Sequence, residues 1–203
     1  MDKRIAAAME IQSLAQAGLA YTDNIYDVER YERLREIAAQ MISDISDVPL
    51  EKVKNLFCNE TGYQTPKIDT RAAIFKDGKF SSCTKTTAPG RCRRWCDVLE
   101  SVKSNTVKEV KEETGLDAEA VRLIAVQDRN KHNVPIYAYG VCKVFVLCRV
   151  TGGSFCENSE TTEIAYFAPD EIPQNPAVEK TSREQIEMCF EADKDEIRQT
   201  MFD

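Results

Sequence analysis

The feature that most constrains this chain is a change of period near residue 62. Before it, apolar residues recur at helical spacing; from "GYQTPK" onward they come in short runs divided by turn residues. "IAAAMEIQSLAQAGLA" is expected to be a helix that ends near Gly18. "DVERYERLREIAAQMISDI" opens on Asp27 and repeats Tyr31, Leu34, Ile37, Ala38 and Met41 along one face. "DVPLEKVKNLFCNE" begins with Asp47 and Pro49, which suit a helix start, and aligns Leu50, Val53, Leu56 and Phe57. A helical module this short buries little core by itself. It is expected to pack on a neighbouring domain or on a second subunit.

The second part carries strand signals. "KIDTRAAIF" runs into "KDGK", where Asp77-Gly78 predicts a hairpin turn. A helix is expected from about Lys103 to Thr114, stopped by Gly115. Strands follow in "VRLIAVQD", "VCKVFVLCRV" and "EIAYFAP", and "SREQIEMCFEADKDEIRQTMF" returns to helix. Strands mixed with a central and a terminal helix indicate an α/β or α+β domain from about Pro66.

Composition narrows the function classes. A net charge of -7 argues against a nucleic-acid binder driven by bulk charge, because phosphate backbones need a basic face. It leaves anionic substrates open, since a bound cation inverts the local sign. No apolar run approaches the ~18 residues of a membrane span, and no signal-peptide pattern opens the chain, so a soluble, cytoplasmic protein is expected. The eight cysteines lack metal-ligand spacing, which favours reduced and mostly buried thiols.

In "KEVKEETGL", Glu109, Glu112 and Glu113 fall at i, i+3 and i+4, so three carboxylates share one helix face. Carboxylates this close repel and call for a cation or heavy solvation. Oxygen donors of this kind suit magnesium, with manganese as the alternative. The bland alternative is a solvated helix face interleaved with Lys108 and Lys111.

The longer pattern outweighs that alternative. Glu100, seven residues, then "KEVKEETGL" resembles the Nudix box of the Nudix hydrolases: glycine, five residues, glutamate, seven residues, Arg-Glu-apolar-x-Glu-Glu-x-Gly-apolar. Every position from Glu100 onward agrees, with Lys108 at the arginine position. "GLAYTDNIYDVERYERLREIAAQMI" and "LFCNETGYQTPKIDTRAAIFKDGK" look like the helical N-terminal domain of one Nudix subgroup. "VRLIAVQDRNKHN" and "KVFVLCRVTGGSF" look like its later strands. The resemblance implies an α/β fold, a Nudix α/β/α sandwich with a mixed sheet (residues 65–203), preceded by a small all-helical module (residues 1–64) that dimerises. It also implies a cytoplasmic magnesium-dependent pyrophosphatase acting on a nucleoside diphosphate derivative of ADP-ribose or CDP-choline type. Glu109, Glu112 and Glu113 would hold metal, and Glu112 and a loop carboxylate, Glu163 or Glu160, would serve catalysis. Arg71 and Arg129 would contact phosphate or nucleotide; a surface ion pair is the plainer role for each. His132 is expected to be a polar loop residue.

One segment departs from the pattern. Counting back from Glu100, the box glycine falls at Arg94, and Arg93 and Arg94 stand where the subgroup has two glycines before Trp95. Glycine there allows backbone angles closed to other residues. Upstream, "KFSSCTKTTAPGRCRR" lacks the pattern of the apolar strand expected at this place. A displaced reading frame accounts for both: shifted by one base, codons compatible with Phe80 onward permit "ILLVHEDNGAWSLP". One base lost near Lys79 and two more near Arg93 would restore the frame at Trp95. The alternative to a displaced frame is ordinary divergence of the loop. The rival functions are a catalytically impaired nucleotide-binding Nudix fold, which a displaced frame across residues 80–94 would produce, and a basic loop of Arg91, Arg93 and Arg94 that meets RNA or an acidic partner.

Overall fold

The computed structural model describes residues 2–46, 48–85, 96, 99–158, 161–172 and 177–203. Their contacts divide them into two compact units, residues 1–66 with 136–140, and residues 67–135 with 141–203.

In the first unit, α1 (Lys3–Tyr21), α2 (Ile25–Ser46) and α3 (Leu50–Phe57) enclose a small core of Ala8, Ala38, Ala39, Ile42, Val53 and Phe57. Ala138, from the distant 136–140 segment, packs on the same core. Small side chains let α1 and α2 approach closely. Gly18 does not end the first helix: α1 continues to Tyr21, and a Cβ at Gly18 would lie 2.4 Å from the Tyr31 ring on α2. The glycine makes room for that ring. The buried face of α2 is also turned from the expected one. Ala38, Ala39 and Ile42 are buried, while Leu34 and Ile37 stay partly exposed, as do Leu14, Tyr21, Ile25 and Tyr26 nearby in sequence.

The second unit is built on a six-stranded mixed sheet of order β5-β2-β1-β4-β3-β6. Its strands are β1 (Lys67–Lys76), β2 (Lys79–Lys85), β3 (Leu116–Asp128), β4 (Val141–Gly153), β5 (Thr161–Phe167) and β6 (Met201–Phe202). β1 and β4 run parallel, and β1–β2, β2–β5 and β3–β4 are antiparallel. Helix α4 (Val102–Thr114) covers one face, its Val110 packing with Ile74, Val144 and Val146 of the sheet. Helix α6 (Arg183–Lys194) covers the other over Ala73, Ile124, Ala125 and Phe145, and a single turn, α5 (Arg129–His132), follows β3. The layers are helix, mixed sheet and helix, an α/β/α sandwich.

Local signals explain much of this. Asp77 and Gly78 both adopt positive φ, 52° and 72°, the two-residue turn that matches strand twist. Ser101 and Ser104 form a capping box at the start of α4, and Gly115, at φ 77°, follows its end. Two segments differ from expectation. Residues 79–85 form a strand in spite of their serines, because β5 pairs with them from Phe80–Phe167 to Cys83–Ile164 and beyond. Residues 195–203 are not helical. The Arg122 guanidinium donates to the carbonyls of Ala192, Asp195 and Arg198, drawing the chain off α6, and β6 then pairs with β3.

Among the described residues no helix is long and apolar enough to cross a membrane. Cys58, Cys96, Cys142, Cys148, Cys156 and Cys189 are free thiols, with Cys148 and Cys189 buried and Cys156 exposed. Cys92, Trp95, the arginines at 91, 93 and 94, and Glu160 lie outside the described residues.

Candidate active site

β1 and β2 pair only at their hairpin end, Phe75–Phe80 and Lys76–Lys79. Beyond it β1 follows β4 and β2 follows β5, so the two strands part. A cleft of about 430 Å³ occupies the gap, lined by residues from both helical layers. Its α4 side carries Glu109 and Glu113, and its α6 side carries Arg71, Lys180 and Thr181; the intervening wall is largely apolar, with Phe80, Phe145, Ile164, Phe167 and Ile172.

Helix α4 is held against the sheet by polar contacts as well as apolar ones. Asn105 Nδ2 donates to Thr70 Oγ1 on β1 at 2.8 Å, and both residues are buried. At the other end, Asn158 Nδ2 donates to the carbonyls of Glu112 and Glu113 at 3.0 and 3.1 Å. These carbonyls close no further helical turn, so Asn158 satisfies two acceptors that would otherwise be orphaned. The two anchors fix the last two turns of α4, and with them the carboxylates.

Glu109 and Glu113, one helical turn apart, both reach the cleft, and Glu113 is 6% exposed. Glu112 is exposed and outside the cleft lining. Among the described residues no three acidic, histidine or cysteine side chains stand close enough to share one metal ion. Two oxygen donors are nonetheless a sufficient protein set for magnesium, which keeps waters and binds through one or two carboxylates plus substrate phosphate. Glu109 and Glu113 fit that description.

The other expected residues separate. Arg71 lines the cleft, and its Nε and Nη2 donate to Asp69 Oδ2 at 3.0 and 2.5 Å in a largely buried ion pair. Arg129 is 1% exposed and outside the lining; its guanidinium donates to Pro135 O at 2.5 Å and Glu179 O at 3.2 Å. Glu163 is exposed on β5. Strand alternation places it with Ala165, on the opposite face from Ile164, which packs in the α4 layer. His132 pairs with the Asp203 carboxylate at 2.9 Å. Asn105, Asn158, Lys143 and Asn133 were not singled out by sequence reasoning. Lys143 had a signal, as a lone charge inside "VCKVFVLC", but the asparagines had none.

Comparison with known proteins gives this geometry its context. Residues 2–57 match the family described as "UDP-X-like, N-terminal oligomerisation domain" of Nudix proteins. The Bacillus subtilis (strain 168) protein named "Putative ADP-ribose pyrophosphatase YjhB" is 35% identical over 99% of this chain and 97% of its own length. The chain belongs to the Nudix hydrolase family. A Streptococcus suis ADP-ribose pyrophosphatase structure is 45% identical over 68% of this Nudix chain and all of its own, with a TM-score of 0.60. A UDP-X diphosphatase structure is 28% identical over 99% of this chain and 98% of its own, also with a TM-score of 0.60.

Proposed function

We propose that this Nudix hydrolase cleaves the diphosphate of a nucleoside diphosphate joined to a second group, of ADP-ribose or CDP-choline type, with magnesium or manganese as cofactor. The observation that carries the proposal is that Glu109 and Glu113 of "KEVKEETGL" enter the same cleft as Arg71. The names of the related proteins, an ADP-ribose pyrophosphatase and a UDP-X diphosphatase, support the substrate class.

Glu109 and Glu113 would hold one metal ion, and Glu112, exposed on the same turn, would serve a further ion. A bound divalent ion neutralises charge on the diphosphate and lowers the pKa of a bound water. Arg71 would contact phosphate from the opposite side, its guanidinium oriented by Asp69. Of the two carboxylates expected to serve catalysis, Glu112 shares the turn of the metal-binding pair and Glu163 does not, so Glu112→Gln is expected to be the more costly. The exposed apolar side chains of the helical module, Tyr21, Ile25 and Tyr26 among them, support a homodimer built on that module.

One observation favours a second reading, an impaired enzyme. Ser81 and Ser82 line a cleft whose neighbouring strand positions are apolar, as a displaced reading frame across residues 80–94 would produce. The test compares the chain as written with a frame-restored chain on ADP-ribose, CDP-choline and UDP-sugars, with magnesium and with chelator. Magnesium-dependent turnover by the written chain supports the enzyme. Turnover by the restored chain alone supports the impaired reading, and none by either refutes the substrate class.

A further inference from the structure

The α6 face of the sheet holds a buried polar cluster that the reaction does not use. Lys143, on β4, is 1% exposed, and its Nζ donates to Asn133 Oδ1 at 2.8 Å and to the carbonyl of Lys180. Asn133 Nδ2 donates to the carbonyl of Val178 at 2.7 Å. Arg129 Nη2 donates to the carbonyl of Glu179 at 3.2 Å. Three successive carbonyls, 178 to 180, thus each accept a hydrogen bond from a different buried side chain. Gln185 ties the donors together, bonding Asn133 and Gln127.

The side chains of this segment give it no hold of its own. Ala177, Val178, Glu179 and Lys180 are all exposed, so apolar burial does not fix it. Its position rests on backbone carbonyls gripped from beneath, two of them by buried cations. Burying two cations is costly unless the surroundings solvate them. Here carbonyl dipoles do so, and the segment gains a fixed geometry in return. Ala177, Lys180 and Thr181 line the cleft opposite the α4 glutamates.

We propose that Lys143, Asn133 and Arg129 are positioning residues that clamp residues 178–180 as the substrate-binding wall of the cleft, so that they govern affinity for the nucleoside diphosphate derivative and leave the chemical step to α4. This rests on the cleft being the substrate site.

The test is Lys143→Met, with Lys143→Arg as the charge-conserving variant and Arg129→Lys as a second route should the first fail to fold. Each full chain is assayed for kcat and KM and by backbone amide exchange. For Lys143→Met, KM should rise about ten-fold with kcat within about two-fold, the signature of lost binding common to ground and transition states. Exchange should quicken at residues 177–181 and stay unchanged in α4, and Lys143→Arg should recover part of the KM. Faster exchange with an unaltered KM would overturn the proposal, as would a fall in kcat at constant KM. If the parent chain turns over nothing, the substrate reading fails separately, and exchange still decides the clamp: unaltered exchange at 177–181 overturns it.

Discussion

Ser81 lies half-buried on β2 and lines the cleft, and Ser81→Leu tests whether that strand runs where the pairing with β5 places it. Full burial of a leucine side chain is worth about 1.5–3 kcal/mol. Half-burial at position 81 reduces this to about 1 kcal/mol, assuming the cleft admits the added carbons without displacing Ile164 or Phe167. For a chain of this size, each kcal/mol moves the melting temperature by about 2–4 °C. Differential scanning calorimetry should therefore show Ser81→Leu melting about 2–4 °C above its parent. Ser82 is exposed, so Ser82→Leu should change stability by less than about 0.5 kcal/mol. A lower melting temperature for Ser81→Leu would mean overpacking, and would refute the open gap between β1 and β2.

Further expectations follow from other parts of the fold. Arg122→Ala removes the guanidinium that holds three carbonyls beyond α6, and should cost about 2 kcal/mol, lowering the melting temperature by about 4–8 °C. Burial pushes the Cys148 and Cys189 thiols from 9.0 up to about 12, so alkylation of the native chain at pH 8 should mark the exposed Cys156 and spare both. Because these folded-state pKa values are raised, their stabilising contribution is complete below pH 9 and lost as pH climbs toward 12; urea titrations across that window should show the decline. Ile25→Glu with Tyr26→Glu places charge on the exposed apolar surface of the helical module. Light scattering should show the proposed dimer shifting to monomer, and an unchanged mass would place the interface elsewhere.

Elements governed by neighbouring residues were legible in the sequence. The α4 span, the left-handed Gly115 and the Asp77-Gly78 turn each follow from side chains within a few positions. Where a distant partner decides, the local pattern misleads. The serines of β2 disfavour a strand, yet β5 supplies its hydrogen-bond partners from some eighty residues away. The tail after Lys194 has helical spacing, but Arg122 takes its carbonyls. Gly18 resembles a helix stop until Tyr31 is placed against it. The site shows the same division. Spacing places Glu109, Glu112 and Glu113 on one helix face, whereas the exposure of Glu112 and the burial of Glu113 depend on how α4 lies on the sheet. For Arg129 the residue type pointed to phosphate, nucleotide or a surface ion pair; the carbonyls it holds come from residues 135 and 179, which no local pattern shows.

The most direct test of the central claim is kcat/KM for Glu113→Gln beside its parent, in whichever reading frame turns over a nucleoside diphosphate derivative with magnesium. A loss of at least about 100-fold, with a melting temperature close to the parent's, is the expected result, since a carboxylate lost from the metal set removes transition-state stabilisation of about 3 kcal/mol. Equal turnover by the variant and its parent would contradict the assignment of this cleft as the catalytic site.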